Sequence, residues 1–131
     1  MRIIVVLFLS LSLLGYSQDE NLEKSMERGK QVYLDFCVNC HMFEGEGVSG
    51  AFPPLAGSDY LLERREASIY AIKYGQKGEI IVNGEKYNNI MLPLYLSDTE
   101  VADVSNYILN SWGNKGKYVT PEEVAAIKEQ E

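Results

Sequence analysis

The sequence predicts an all-α domain of three to five helices with one short β-hairpin. Three observations lead there. Apolar residues recur at helical spacing in three separate stretches. A single Asn-Gly pair, Asn83-Gly84, sits between short runs of strand character, the strongest local mark of a hairpin. Both cysteines and the one histidine fall within five residues, Cys37-Val38-Asn39-Cys40-His41, so the domain is organised around one site. A chain of 131 residues is the right length for one such domain.

The elements follow in order. Residues 18–21 are a polar lead-in, with Asn21 as the candidate N-cap. Leu22, Met26, Gly29, Tyr33 and Phe36 then recur at helical spacing, which predicts a helix over 22–38. Gly29 weakens that helix by about 1 kcal/mol against Ala, which makes sense where another helix must pass close by. Residues 44–58, EGEGVSGAFPPLAGS, carry too much Gly and Pro for a regular element. A loop of that length in a small domain is usually functional. Helical spacing returns over 59–74 through Leu61, Leu62, Ile69 and Ile72. The charged run Glu63-Arg64-Arg65-Glu66 can divide it into two short helices, and Gly75 ends it. A hairpin follows within 79–90, which must lie against something because two strands alone are barely stable. The last strong helix spans 98–112. Ser97 and Glu100 form its capping box and Leu96 with Val101 the hydrophobic staple. Val101, Val104, Ile108 and Trp112 mark its buried face, Tyr107 lies near the edge, and Gly113 is the terminator. Thr120 caps a final short helix to about Lys128, with Pro121 at its first position.

The formal charge of −7, without a Lys/Arg stripe, argues against nucleic acid and for a partner with a basic patch. Residues 1–17 read as an export signal. Arg2 gives a positive start, residues 3–14 are apolar, and Gly15 and Ser17 are small residues placed for cleavage after Ser17. The domain is then 18–131, delivered across the inner membrane to the periplasm. The apolar run falls short of the about 20 residues a membrane helix needs. An uncleaved N-terminal anchor is the rival reading.

Export sharpens the question of the two cysteines. Outside the cytoplasm a pair is normally a disulfide, but a Cys37–Cys40 bridge closes a tiny loop and stabilises little. A zinc site needs about four ligands, and only three Cys and His residues exist. A thioredoxin-type dithiol belongs near a βαβ pattern and leaves His41 unexplained. Cys-x-x-Cys-His is the signature of covalent haem c attachment. Cysteines three apart on a helical turn are neighbours, so their sulfurs can reach two vinyl groups on one haem edge. His41 can then turn its imidazole under the iron. A haem also gives the long loop and the hairpin apolar surface to pack on, at about 25 cal/mol per Å² buried.

With a single histidine, a methionine is the next axial candidate; His/Met pairs are typical of electron-transfer cytochromes. Met1 leaves with the signal. Met42 adjoins His41 and cannot reach the other haem face, and Met26 belongs to the first helix. Met91, fifty residues after His41 and followed by Leu92-Pro93, is the choice. An open sixth position or a lysine ligand is the alternative. A metal-bound His donates its other ring N–H to an oxygen, for which the Pro53 carbonyl is the first choice and that of Pro54 the second. Tyr87, Asn88, Asn89, Arg64, Arg65 and Trp112 are candidate donors to the haem propionates.

These segments resemble class I cytochromes c. GKQVYLDFCVNCH is similar to the family's N-terminal helix and attachment site, GVSGAFPPLAGSDYL to its loop on the histidine side, and NNIMLPLYLSDTEVADVSNYILNSWGN to its Met loop and last helix. The resemblance covers essentially residues 18–131. It implies a tight crossing of the first and last helices, with Gly29 and Tyr33 against Tyr107. VNGEKYNNIM and VTPEEVAAIK resemble a subgroup that includes haem c domains of copper nitrite reductases and cytochrome subunits of dehydrogenases and oxidases. Met91-Leu92-Pro93 departs from the Met-Pro-Pro of many relatives, which bears on loop rigidity rather than ligation. The expectation is an exported monohaem carrier of one electron in a respiratory chain, not an enzyme, with redox proteins as partners and no small-molecule substrate. The alternatives are a subunit of a larger oxidoreductase, associated with a membrane complex, and a haem sensor or enzyme with an open iron position.

Overall fold

The computed structural model describes residues 20–130. The expected export signal lies outside them. Helix α1 covers 20–36, so Asn21 sits inside the helix and does not cap it. Its inward row is Ser25, Gly29 and Tyr33, spaced one turn apart and all buried. Phe36, expected on that face, falls off the row and is 49% exposed. The helix also does not run through to 38. Cys37 keeps its N–H on the Tyr33 carbonyl at 2.9 Å but starts a separate turn, α2 (Val38–His41). Met42, at φ 64°, ends it.

The 59–74 stretch is two helices, α3 (Asp59–Glu63) and α4 (Arg65–Tyr74), broken at Arg64 within the charged run. Ser58 caps α3 by accepting from Leu61 N, and Gly75 closes α4. Strands β1 (Ile80–Val82) and β2 (Glu85–Tyr87) pair antiparallel, Ile80 opposite Tyr87 and Val82 opposite Glu85. Asn83 and Gly84 take φ of 51° and 81°, as a type I′ turn requires. The hairpin tip docks on α3: Asp59 N donates to Asn83 Oδ1 at 2.9 Å, and Asn83 N to Asp59 Oδ1 at 2.8 Å.

Helix α5 (Asp98–Leu109) starts with the expected capping box between Ser97 and Glu100. It stops three residues before Trp112, because side chains take its last carbonyls. Asn110 Nδ2 donates to Asn106 O, Ser111 Oγ to Tyr107 O and Asn114 Nδ2 to Ile108 O. Helix α6 (Pro121–Ala126) is capped by Thr120 and ends short of Lys128. Arg65 ties it down with two bonds to Glu123, at 2.6 and 2.8 Å, and two more to the Lys117 and Tyr118 carbonyls.

The core lies where α1 and α5 cross. A Cβ on Gly29 would collide with the Asp103 carbonyl, so glycine alone lets the two backbones touch. Around that contact Asp103 accepts from Ser25 at 2.6 Å and from both Nε and Nη2 of Arg28. Tyr33 and Tyr107 pack with centroids 5.4 Å apart, as the resemblance implies. Among the described residues no helix is long and apolar enough to cross a membrane.

Candidate functional site

Helix α2, with Cys37 at its N-cap, brings Cys37, Cys40 and His41 to one cleft. The cleft takes in about 1040 Å³ of space, the open solvent at its mouth included, and is lined from α2, the loop after it, α3, α4, the hairpin and α5. Its walls are mainly apolar: Pro53, Leu55, Leu61, Ile72, Val82, Val104 and Ile108 all contribute. Met91 lines the same cleft. The four expected ligating and tethering residues and Pro53 therefore meet in one place.

The position of α2 is set by aromatic groups behind it. Tyr33 OH donates to Met42 O at 2.6 Å, and burial pushes the Tyr33 phenol up, so it remains a donor. Trp112 packs on Tyr33 at 5.2 Å and donates its indole N–H to Phe43 O at 3.2 Å. Trp112 is therefore part of this support and not a donor to the cleft. Met42, which adjoins His41, is held by its carbonyl in that same support.

The loop after α2 folds back onto it. Gly47 N donates to His41 O, and Leu55 N and Ala56 N both donate to Gly45 O, at 2.7 and 2.9 Å. This return brings the Pro53 carbonyl to 2.9 Å from His41 Nδ1. A carbonyl only accepts, so Nδ1 carries the proton and Nε2 keeps its lone pair. Burial holds the His41 imidazole below its ordinary titration range, which favours the neutral ligand form.

Met91 is fixed through its backbone. It exchanges both N–H···O bonds with Gln76, each 2.8 Å. Gly75 makes this approach practicable: its φ is 86°, and a Cβ there would stand 2.6 Å from Met91 O. In sequence Gly75 reads only as a helix terminator. Its second role has no local signal, because the partner lies sixteen residues downstream.

Cys37 and Cys40 are not joined in a disulfide. Burial, and then the nearby Cys40, pushes the Cys37 thiol up to about 12. A reactive dithiol requires the opposite shift. Among the described residues no three or more His, Cys, Asp or Glu side chains converge on an all-protein metal site. Of the candidate propionate donors, Tyr87 and Asn89 line the cleft. Arg65 is engaged with Glu123, Arg64 stacks 5.6 Å over the Tyr60 ring, and Asn88 is exposed. Two thiols, a neutral imidazole with its outer nitrogen satisfied, a thioether and apolar walls are the donor chemistry that suits a covalently held haem.

Comparison with known proteins agrees. The cytochrome c family model matches residues 26–112. The chain is 41% identical over 110 residues to cytochrome c-552 of Thermus thermophilus, covering 76% of this chain and 83% of that protein. It is 36% identical over 90 residues to the cytochrome c subunit of a quinone alcohol dehydrogenase from Gluconobacter oxydans, covering 66% of this chain but 18% of the subunit. The cytochrome c subunit of gluconate 2-dehydrogenase from Pantoea cypripedii is 29% identical over 128 residues, 88% of this chain and 29% of that one. The chain belongs to the cytochrome c family, binds haem c with its iron covalently, and serves electron transfer as a monohaem carrier or within a larger complex.

Proposed function

We propose that Cys37 and Cys40 hold the haem through thioethers and that His41 and Met91 are the two axial ligands of its iron. One observation carries this reading: the four side chains line one apolar cleft, with His41 Nδ1 turned to Pro53 O at 2.9 Å and its Nε2 left as the donor atom. When bound, the haem supplies a one-electron Fe(III)/Fe(II) couple. The chain's part is to keep water from the iron, hold the same two ligands in both redox states and donate through Nε2 and the Met91 sulfur. No residue is asked to turn over a substrate. Loss of the haem-stained band from a denaturing gel in C37A/C40A, against its survival in the native protein, tests the tethers. A native protein without such a band contradicts them.

The protein acts after export, with the first 17 residues removed as a signal, and delivers its electron in a respiratory chain. The full chain's charge of −7, which becomes −8 once Arg2 leaves with the signal, favours a redox partner with a basic docking patch. Association rates should fall as salt rises; rates indifferent to ionic strength exclude a charge-guided encounter. A place as a cytochrome subunit of a larger oxidoreductase is the second reading, favoured by the likeness to dehydrogenase cytochrome subunits. Affinity capture from membranes of the source organism separates the two: a free carrier comes alone, a subunit with a dehydrogenase.

A further inference from the structure

The loop bearing Pro53 has almost no regular structure, yet its carbonyl must meet His41 Nδ1 in one orientation. On one side Gly47 lies flat against it; a Cβ there would stand 2.7 Å from Pro53 O. On the other side the loop's end, already bonded through Leu55 N and Ala56 N to Gly45 O, is joined to α5 by one side chain. Asn114 follows α5 and is only 6% exposed. Its Oδ1 accepts from Gly57 N at 2.9 Å, while its Nδ2 donates to Leu55 O at 2.9 Å and Ile108 O at 2.8 Å. Ile108 belongs to the core helix and Leu55 stands two residues after Pro53, and both line the cleft. Three bonds from one amide thus join residues 55–57 to the rigid part of the molecule. The job needs an acceptor and two donors on one short side chain, which Asn supplies and Asp, Ser or Leu do not.

We propose that Asn114 is a positioning residue for the axial imidazole. By clamping 55–57 to α5 it sets the Pro53 carbonyl against His41 Nδ1, and through that bond it sets the reduction potential. The proposal rests on His41 being an iron ligand. A well-placed acceptor on Nδ1–H raises the basicity of the ligating nitrogen, which favours the ferric state. A loosened loop weakens that bond, so the potential rises. An Asn that only capped α5 would need the Ile108 contact alone and would affect stability without touching the potential.

The test compares N114A with T120A, both as haem-loaded protein. Thr120 caps α6 and does not line the cleft, so T120A removes a cap while leaving the loop intact. The midpoint potential and the solvent exchange rate of the His41 Nδ1 proton are measured well below Tm. N114A should raise the potential and speed exchange by about tenfold, as expected for loss of a buried hydrogen-bonded clamp. T120A should move neither. N114S, whose single hydroxyl cannot make the amide's three bonds and adds no charge that would itself move the potential, should follow N114A and serves in its place if N114A does not fold. Unchanged potential and exchange in the Asn114 variants, or equal shifts in T120A, overturns the proposal. Failure of the ligation reading looks different: His41 ring signals of the native ferric protein would then show no shift by the iron.

Discussion

The α1–α5 crossing and the cleft bury their groups in opposite ways. At the crossing, the chain satisfies itself. Backbone touches backbone at Gly29, and the buried Asp103 and Asn106 find partners in Ser25, Arg28 and Val119. At the cleft the chain gathers apolar walls, two cysteines outside any disulfide and a neutral imidazole. The few polar bonds there orient groups and do not close the space. The difference separates two kinds of specification: one half is complete in the twenty side chains, and the other is shaped for a group the chain does not encode.

The largest blow to that comparison falls on the crossing. In G29A the new methyl meets the Asp103 carbonyl, and neither backbone can yield. Denaturant unfolding should show a loss of about 3 kcal/mol, the upper end for overpacking, while the haem spectrum at low denaturant stays native. A neutral G29A would mean the helices do not touch there. D103A removes the acceptor of Ser25 and Arg28 and should cost about 2 kcal/mol by the same measurement. Arg28 is partly exposed and can rehydrate, which keeps this below the glycine effect.

On the cleft side, G75A places a Cβ against Met91 O at a φ of 86°. The strain should cost about 1 kcal/mol, but the sharper sign is spectroscopic. The weak Met-to-iron band should shift or fade in G75A and stay unchanged in G29A. If both variants leave it alone, Gly75 does not hold the Met91 loop.

The smallest effect concerns pH. Arg65 hydrogen bonds hold the Glu123 carboxyl below its ordinary value of 4.5. A depressed folded-state pKa gives stability that is present above the unfolded value and lost as pH falls through the folded one. E123Q should therefore flatten the decline of stability below about pH 4.5 and change little at pH 7 beyond the pair itself. An unchanged acid limb removes Glu123 from the account.

Local features were legible in the sequence and distant ones were not. The Ser97/Glu100 capping box, the Asn83-Gly84 turn, the break at Arg64 and the Thr120 cap all act within a few residues, so their spacing carries them. The end of α5 was hidden because Asn110, Ser111 and Asn114 compete for its carbonyls by side-chain geometry that periodicity does not register. Phe36 fits a helical repeat, yet the close contact at Gly29 rotates the buried row onto Ser25 and Tyr33. Arg65 and Trp112 looked available for the cleft because their partners, Glu123 and Phe43, lie 58 and 69 residues away. At the site, the Cys-x-x-Cys-His cluster and Met91 could be named from residue type and elimination. Gly47, Gly75 and Asn114 could not, since each acts on a segment that only the fold brings near.

The central claim is that Met91 completes an iron site begun by His41. Absorption spectra of native protein and M91A, taken oxidised and then reduced under CO, test it most directly. The account predicts the weak red-end sulfur-to-iron band and no CO response in the native protein, with the band lost and CO bound readily in M91A. Ready CO binding by the native protein, or an M91A variant indistinguishable from it, would contradict the claim.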